Sequence, residues 1–317
     1  MVFRLKAILV AFNSDQLVYL MSFQRILSTL LVVSIAVAFF SCSKDIYKEN
    51  NKAHKKAVKE ATAFIQEIPK TKAELDYDTL SITDEWIGTT NFSIRKPNYV
   101  IIHHTAQVSL QQTINTFTLT RTQVSSHYVI GRDGEIVQML NDYLRSWHAG
   151  RGKWGNDTDL NSASIGIELD NNGSEPFTTA QIESLLVLLK RLKWKYGIPD
   201  ANFIGHSDIA PTRKVDPSIY FPWKKLADEG YGLWYDEDAV FPILTYDDNL
   251  SIPIENTDSV AQQSIDPILA LRVIGYDVSD PQAAIRAFKL HFVQIDVDSA
   301  LTQTDMRILD NLYKKYL

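Results

Sequence analysis

Two hydrophobic patterns alternate through the middle of this chain. Continuous apolar runs rich in β-branched residues, around Val100–Ile102 and Ile165–Leu169, predict buried β-strands. Apolar residues three and four positions apart predict a helix after Ser109 and a longer one between Thr178 and Gly197, with Ser109 and Thr178 as N-caps. Strands that alternate with helices in this way indicate the α/β class.

A hairpin and a group of short helices complete the predicted elements. Asp133-Gly134 lies between two β-rich runs, which is a strong turn signal. The acidic stretch 236–263, with scattered Pro and Asn, predicts a linker. Residues 264–317 then show helical spacing and predict a small bundle of short helices. Its apolar positions are Ile268, Leu271, Ile274, Ile285, Phe288, Phe292, Met306, Leu309, Leu312 and Tyr313.

The first 80 residues have a different composition. Arg25 precedes a mostly apolar run that ends at Ser41-Cys42, which predicts an export signal over residues 1–42. The ending resembles a bacterial lipobox, so Cys42 is the expected site of lipidation, and Met21 is the expected true start. An uncleaved membrane anchor is the alternative. Residues 43–80 mix Lys, Glu and Ala and predict a polar tether with a short helix.

Composition narrows the possible partners and metal ligands. The 317 residues carry a formal net charge of −6, which argues against binding to a nucleic-acid backbone. The chain has one cysteine, Cys42, so it can form no intrachain disulfide and no thiolate-rich metal site. Any metal must be held by histidine and carboxylate. A monomer is the default expectation.

Two strands carry candidate catalytic side chains. His103 and His104 end the first apolar strand and point to opposite faces, so only one of them can enter a given site. Glu168 shares a strand face with Gly166, where the glycine leaves space for another group. A pair of core histidines and a structural ion pair are the alternatives, because buried acids often form such pairs.

A polar segment downstream supplies further ligand-type groups. His206 closes a short apolar strand, and Asp216 lies ten positions later. A polar surface loop with an ion pair is the alternative. Together, His103, His206 and Asp216 form the three-ligand set of a catalytic zinc site, which leaves a fourth position for water. Glu168 could accept the proton of that water, and Lys214 could face a developing oxyanion.

The loop 146–154 contains glycines and two tryptophans, Trp147 and Trp154. Long loops with aromatic side chains often form a substrate wall, but such a tryptophan can equally be a hydrophobic plug. The pattern leaves both possibilities open.

Taken together, these residues resemble the type-2 N-acetylmuramoyl-L-alanine amidase family, which includes phage lysozyme-like amidases and animal peptidoglycan recognition proteins. The matching motifs occur in family order within about 85–230, and bacterial outer-membrane lipoprotein amidases are the most similar group. The motifs are Ile102-His103-His104-Thr105-Ala106, Ser126-His127-Tyr128, Trp147-His148-Ala149-Gly150, Ser164-Ile165-Gly166-Ile167-Glu168, Gly205-His206-Ser207-Asp208-Ile209-Ala210-Pro211, Arg213-Lys214-Val215-Asp216-Pro217 and Phe221-Pro222-Trp223.

The resemblance implies a fold, a cofactor and residue roles. It implies a mixed β-sheet flanked by helices, here a zinc amidase domain over 81–235, with Zn²⁺ held by His103, His206 and Asp216. Glu168 would be the general base and Lys214 the group that stabilises the oxyanion. Three further positions would contact substrate: His148, Trp154 and Asn161.

The implied reaction is hydrolysis of the amide between the lactyl group of N-acetylmuramic acid and L-alanine, in peptidoglycan or muropeptides. The resemblance also implies a lipid-anchored protein of the outer membrane that faces the periplasm. Residues 264–317 are similar to a small helical peptidoglycan-binding module, and a plain helical appendage is the alternative. Two other functions compete: a recognition protein that binds muropeptide without cleaving it, and an esterase or peptidase on the same scaffold.

Overall fold

A computed structural model describes residues 46–66, 91, 93–241 and 265–316. Contacts divide the chain into two units, 1–88 and 89–317. The predicted export signal, Cys42, and most of the 236–263 linker lie outside the described residues. No helix in the described parts of the chain combines the length and apolar character that a membrane span needs.

The described part of the first unit is helix α1 (Lys48–Gln66), which has 19 residues and no buried side chain. A helix in this region is as predicted, although it is longer than expected. Its Lys, Glu and Ala residues are strong helix formers, which explains its length.

The second unit is built on a five-stranded sheet with strand order β3-β2-β4-β1-β5. β3 is antiparallel to β2, and the remaining neighbours are parallel, so the predicted mixed sheet is confirmed. The strands are β1 (Tyr99–His104), β2 (Tyr128–Ile130), β3 (Ile136–Gln138), β4 (Ser164–Leu169) and β5 (Phe203–Gly205).

Helices flank this sheet and follow it in the chain. Those that alternate with the strands are α2 (Leu110–Thr118), α3 (Leu160–Ala163), α4 (Thr179–Tyr196) and α5 (His206–Ile209), and those after the last strand are α6 (Trp223–Asp228), α7 (Glu237–Val240), α8 (Pro267–Ile274), α9 (Pro281–Phe288) and α10 (Gln303–Tyr316). The predicted caps are confirmed, since Ser109 and Thr178 each accept a backbone N–H of the first turn. Gly197 ends α4 with φ +63°, which an L-residue rarely adopts.

The core explains why these strands are continuous apolar runs. Val100, Ile101 and Ile102 in β1 are fully buried, as are Ile165 and Ile167 in β4. Central parallel strands are covered on both faces, so neither face can be polar. β1, β4 and β5 run in the same direction, and their carboxyl ends therefore meet at one edge of the sheet. That edge is where ligands commonly bind in open α/β sheets.

The segment 265–316, which we call the C-terminal helices, lies in the same unit as the sheet. It contains α8, α9 and α10, with a π-helical turn at Lys289–Val293, as the predicted helical bundle requires. Its buried residues, including Leu271, Phe288 and Leu309, belong to the same hydrophobic cluster as the strands. The division into an amidase domain, a linker and a separate module stays a prediction.

Candidate metal centre

The carboxyl edge of the sheet brings together the three residues predicted as metal ligands. His103 lies near the end of β1, His206 follows β5 directly, and Asp216 lies in the loop after α5. The two Nδ1 atoms are 2.9 Å apart, and Asp216 Oδ2 lies 3.1 Å from His103 Nδ1 and 3.0 Å from His206 Nδ1. All three side chains are buried, and their ligand atoms lie within 4.8 Å of one another.

The far side of each imidazole ring has its own partner. His206 Nε2 lies 3.1 Å from the carbonyl oxygen of Ala149. His103 Nε2 lies 3.0 Å from His148 Nδ1, and His148 Nε2 lies 3.0 Å from Ser164 Oγ. With Nε2 as the protonated nitrogen of each ligand ring, both Nδ1 atoms present a lone pair to the cluster. Such outer partners fix the tautomer and orientation of metal-binding histidines.

The electrostatics of the cluster suit a divalent cation. Burial and the neighbouring His206 lower the pKa of His103 to about 4, so its imidazole is neutral at pH 7. Burial alone would raise the pKa of Asp216, but the neighbouring His103 and His206 rings, whose Nδ1 atoms lie 3.1 and 3.0 Å from its Oδ2, hold it below its usual value, so the carboxyl group is ionised. Neutral imidazole and carboxylate are ligands that zinc accepts, and three protein ligands are typical of a catalytic site. The donor set therefore fits Zn²⁺.

Glu168 lies next to this cluster, opposite His103 in the register between β1 and β4. Burial raises the pKa of Glu168 to about 8, with a further contribution from Asp216, and Lys214 opposes this rise. A carboxyl group whose pKa lies near neutrality can both accept and return a proton. Lys214 is close enough to influence the pKa of both His103 and Glu168.

An open cleft of about 520 Å³ gives access to the cluster. Its wall includes His148, Asn161, His206 and Lys214, and also Trp147, whose side chain is 53% exposed. The rest of the lining was not among the predicted site residues and consists of Gln123, Val124, Arg145, Gly150 and Arg213. Arg213 is the first residue of the motif Arg213-Lys214-Val215-Asp216-Pro217, and this motif is the signal that could have identified it.

The predicted substrate contacts His148 and Asn161 also support the ligand loop. A Cβ built on Gly166 would lie 2.4 Å from His148 Cγ, so the space expected beside Glu168 is filled by this imidazole ring. Asn161 Oδ1 accepts hydrogen bonds from the backbone N–H groups of His148 and Ala149. These contacts fix the loop that carries the partners of both histidine ligands.

Trp154 does not lie where a substrate contact was expected. It is 7% exposed, is absent from the cleft wall, and packs edge-on against Tyr276 with ring centroids 5.0 Å apart. Its surroundings match the alternative of a hydrophobic plug. Trp147 is the tryptophan of this loop that reaches the cleft.

His104, the second histidine of the pair, points to the other face of β1. Its Nδ1 accepts the backbone N–H of Ser218 at 3.1 Å. The alternation expected along the strand is therefore observed, and one imidazole of the pair enters the metal cluster.

A family model described as N-acetylmuramoyl-L-alanine amidase matches residues 93–219, a range that includes every residue of the cluster. The chain is 33% identical over 239 residues to N-acetylmuramoyl-L-alanine amidase AmiD of Escherichia coli, which covers 68% of this chain and 82% of that protein. The chain belongs to the N-acetylmuramoyl-L-alanine amidase family.

Other amidases match this chain over part of its sequence or in their three-dimensional structure. The 1,6-anhydro-N-acetylmuramyl-L-alanine amidase AmpD of Enterobacter cloacae is 41% identical over 102 residues, 32% of this chain and 54% of that protein. The structure of E. coli AmiD with anhydro-N-acetylmuramic acid-L-Ala-D-gamma-Glu-L-Lys superposes with a TM-score of 0.59 and 30% identity, covering 74% of this chain and 95% of that one. The structure of Pseudomonas aeruginosa AmpDh3 in complex with anhydromuramic pentapeptide superposes with a TM-score of 0.59 and 28% identity, covering 75% of this chain and 99% of that one.

Proposed function

We propose that this chain is a zinc-dependent N-acetylmuramoyl-L-alanine amidase. It hydrolyses the amide between the lactyl group of N-acetylmuramic acid and L-alanine in peptidoglycan or muropeptides. The observation that carries the proposal is the buried His103–His206–Asp216 cluster beside Glu168 at the end of an open cleft. The muropeptides named in the AmiD and AmpDh3 complexes support the same substrate class.

His103, His206 and Asp216 would hold the zinc ion through Nδ1, Nδ1 and a carboxylate oxygen. When bound, zinc supplies Lewis-acid activation of a water and of the scissile carbonyl. The orientation of the ligands, the proton transfers and the stabilisation of the oxyanion are carried out by groups of the protein itself. The Ala149 carbonyl oxygen holds the His206 ring in place. Ser164 holds the His103 ring in place through His148.

Glu168 is the proton carrier in this proposal. It accepts a proton from the attacking water as the C–O bond forms, and then gives that proton to the leaving nitrogen as the C–N bond breaks. Lys214, from the cleft wall, places a positive charge near the oxygen that becomes an oxyanion. A raised pKa makes the Glu168 carboxylate a stronger base toward water, and the acid that forms can return the proton to the leaving nitrogen.

The direct test is mass spectrometry of the products formed from a soluble anhydromuropeptide. The expected products are the free stem peptide with an amino-terminal L-alanine and the free lactyl carboxylate. A chelator should stop their formation, and added Zn²⁺ should restore it. Binding without products would favour the recognition protein, and cleavage within the stem peptide would favour the peptidase.

Trp147 is proposed to form part of the substrate wall. Trp147→Ala is expected to raise KM about fivefold with little change in kcat, because an aromatic contact contributes on the order of 1 kcal/mol to binding. Steady-state kinetics on the soluble muropeptide measure this. Trp194 provides a matched control, since it is 87% exposed on α4 and absent from the cleft wall. Equal KM changes in both variants would contradict the assignment.

Export and anchoring are proposed from the sequence. The apolar run ending at Cys42 supports secretion, with a lipid on Cys42 that tethers the protein to the outer membrane facing the periplasm. Cys42→Ser is expected to move the protein from the membrane fraction to the soluble periplasmic fraction, as detected by immunoblotting. A Cys42→Ser protein that stays with the membrane would favour the uncleaved anchor instead.

A further inference from the structure

The C-terminal helices contact the turn that carries the ligand His206. Asp208 lies in this turn, two positions after His206, and its side chain is fully buried. Its Oδ1 accepts the hydroxyl group of Tyr276 at 2.8 Å. Its Oδ2 accepts the backbone N–H of Gly205 at 2.7 Å and lies 2.8 Å from His291 Nδ1. Carboxylate oxygens accept hydrogen bonds, so His291 Nδ1 is the donor of this contact.

Both donors from the C-terminal helices are held in place by packing. Tyr276 is 2% exposed, and its ring meets Trp154 edge-on. The His291 ring stacks on Trp223, with centroids 3.8 Å apart and planes at 13°. Because neither ring has free space, the position of the Asp208 carboxylate is set by these helices as well as by its own turn.

The same helices also hold the loop that follows the ligand Asp216. The amide of Gln294 donates to the carbonyl oxygens of Ile219 at 3.0 Å and Phe221 at 2.6 Å. The two ligand segments are joined to each other, because the backbone N–H of Ser207 donates to the carbonyl oxygen of Asp216 at 2.7 Å. The C-terminal helices therefore brace the main chain on both sides of the His206–Asp216 pair.

We propose that the C-terminal helices position the metal centre, with Tyr276, His291 and Gln294 as positioning residues. They act on the zinc site through Asp208 and through the loop after Asp216, and none of them touches the ligand atoms. This inference rests on the proposed amidase function and deepens it. It gives residues 265–316 a role in catalysis that does not depend on whether they also bind peptidoglycan.

Tyr276→Phe is the sharpest test, because it removes one oxygen atom and leaves the ring against Trp154. A buried acceptor that loses its donor relaxes its turn, and outer-shell changes commonly weaken metal binding 10–100-fold. We expect the zinc dissociation constant, measured by competition with a chelating dye, to rise about tenfold, at the lower end of that range because Asp208 does not touch a ligand atom. We also expect kcat on a soluble muropeptide to fall by a similar factor, with KM unchanged.

Tyr313→Phe is the matched control. Tyr313 lies on α10 and packs against the same core, and its hydroxyl group makes no hydrogen bond to a described residue. The Tyr313→Phe variant should keep the zinc dissociation constant and kcat of the wild type. Gln294→Asn is the second variant and decides the matter if Tyr276→Phe fails to fold. Asn tolerates the φ of +60° at this position but is too short to reach both carbonyl oxygens.

The outcomes separate the possibilities. The positioning role would be overturned if the folded Tyr276→Phe protein kept wild-type zinc affinity and kcat. If Tyr276→Phe does not fold, the same result in Gln294→Asn would overturn it. Loss of binding to insoluble peptidoglycan with unchanged zinc affinity and kcat would also overturn it, in favour of a pure binding module. A wild-type protein that binds zinc but releases no stem peptide would reject the amidase function, while the zinc affinities of the variants would still test the positioning.

Discussion

Glu168→Gln is expected to lower kcat by about 10²–10⁴-fold while the protein keeps its zinc, because general-base catalysis contributes a factor of that size. Glutamine has nearly the same shape as glutamate but cannot take a proton from water. The three ligand side chains are unchanged in this variant. The charge repulsion between the carboxyl groups of Asp216 and residue 168 is removed, so zinc binding is not weakened. Zinc content measured by atomic absorption, together with kcat on a soluble muropeptide, checks both halves of the prediction.

Two other variants make the test specific to Glu168. Glu168→Asp keeps the carboxylate but withdraws it by one methylene, so it should retain more activity than Glu168→Gln. Glu183→Gln changes an exposed acid on α4 and should behave as wild type. If Glu168→Gln held zinc and kept more than about a tenth of the wild-type kcat, Glu168 would not be the base, since even weak general-base catalysis exceeds that factor.

The sequence was informative wherever a local rule governs the structure. Helix ends followed from the hydroxyl groups of Ser109 and Thr178, which accept backbone N–H groups of the first turn. The strand faces followed from alternation, which separated His103 from His104. Parallel strands end at a common edge, so β1, β4 and β5 had to deliver their terminal polar residues to the same place.

The choice between the two tryptophans of the loop could not be made from the sequence. Trp147 and Trp154 share one glycine-bearing loop, and composition says nothing about which ring turns inward. The decision depends on Gly275, more than a hundred positions away. A Cβ there would lie 2.5 Å from the Trp154 ring, so the missing side chain makes the pocket that Trp154 fills.

The link between Asp208 and the C-terminal helices was invisible for the same reason. Tyr276 lies 68 positions from Asp208 and His291 lies 83 positions away. Helical periodicity predicted that these helices exist, but it describes only which face is apolar. A hydrogen bond from the buried face to a distant carboxylate depends on how the helices dock, which a repeating pattern does not encode.

His103→Ala and His206→Ala are each expected to lose both zinc and activity, whereas His104→Asn should keep both. Each of the first two substitutions removes one of three protein ligands and leaves the buried Asp216 with one imidazole neighbour instead of two. Zinc affinity should fall by more than about 100-fold, beyond the loss that changes outside the ligand shell cause. Because His148 meets His103 on the side away from the metal, His148→Ala should fall between these extremes.

His104→Asn is the control that tests the strand geometry itself. The neighbouring imidazole has the same chemistry and lies one residue further along β1, but it faces Ser218 on the other side of the sheet. Asparagine can still accept the Ser218 N–H, so the loop that carries Asp216 keeps its support. Zinc content after dialysis and kcat on a soluble muropeptide should both stay within a few-fold of wild type. Loss of zinc from His104→Asn with retention in His103→Ala would reverse the assignment and, with it, the face of the sheet on which the reaction takes place.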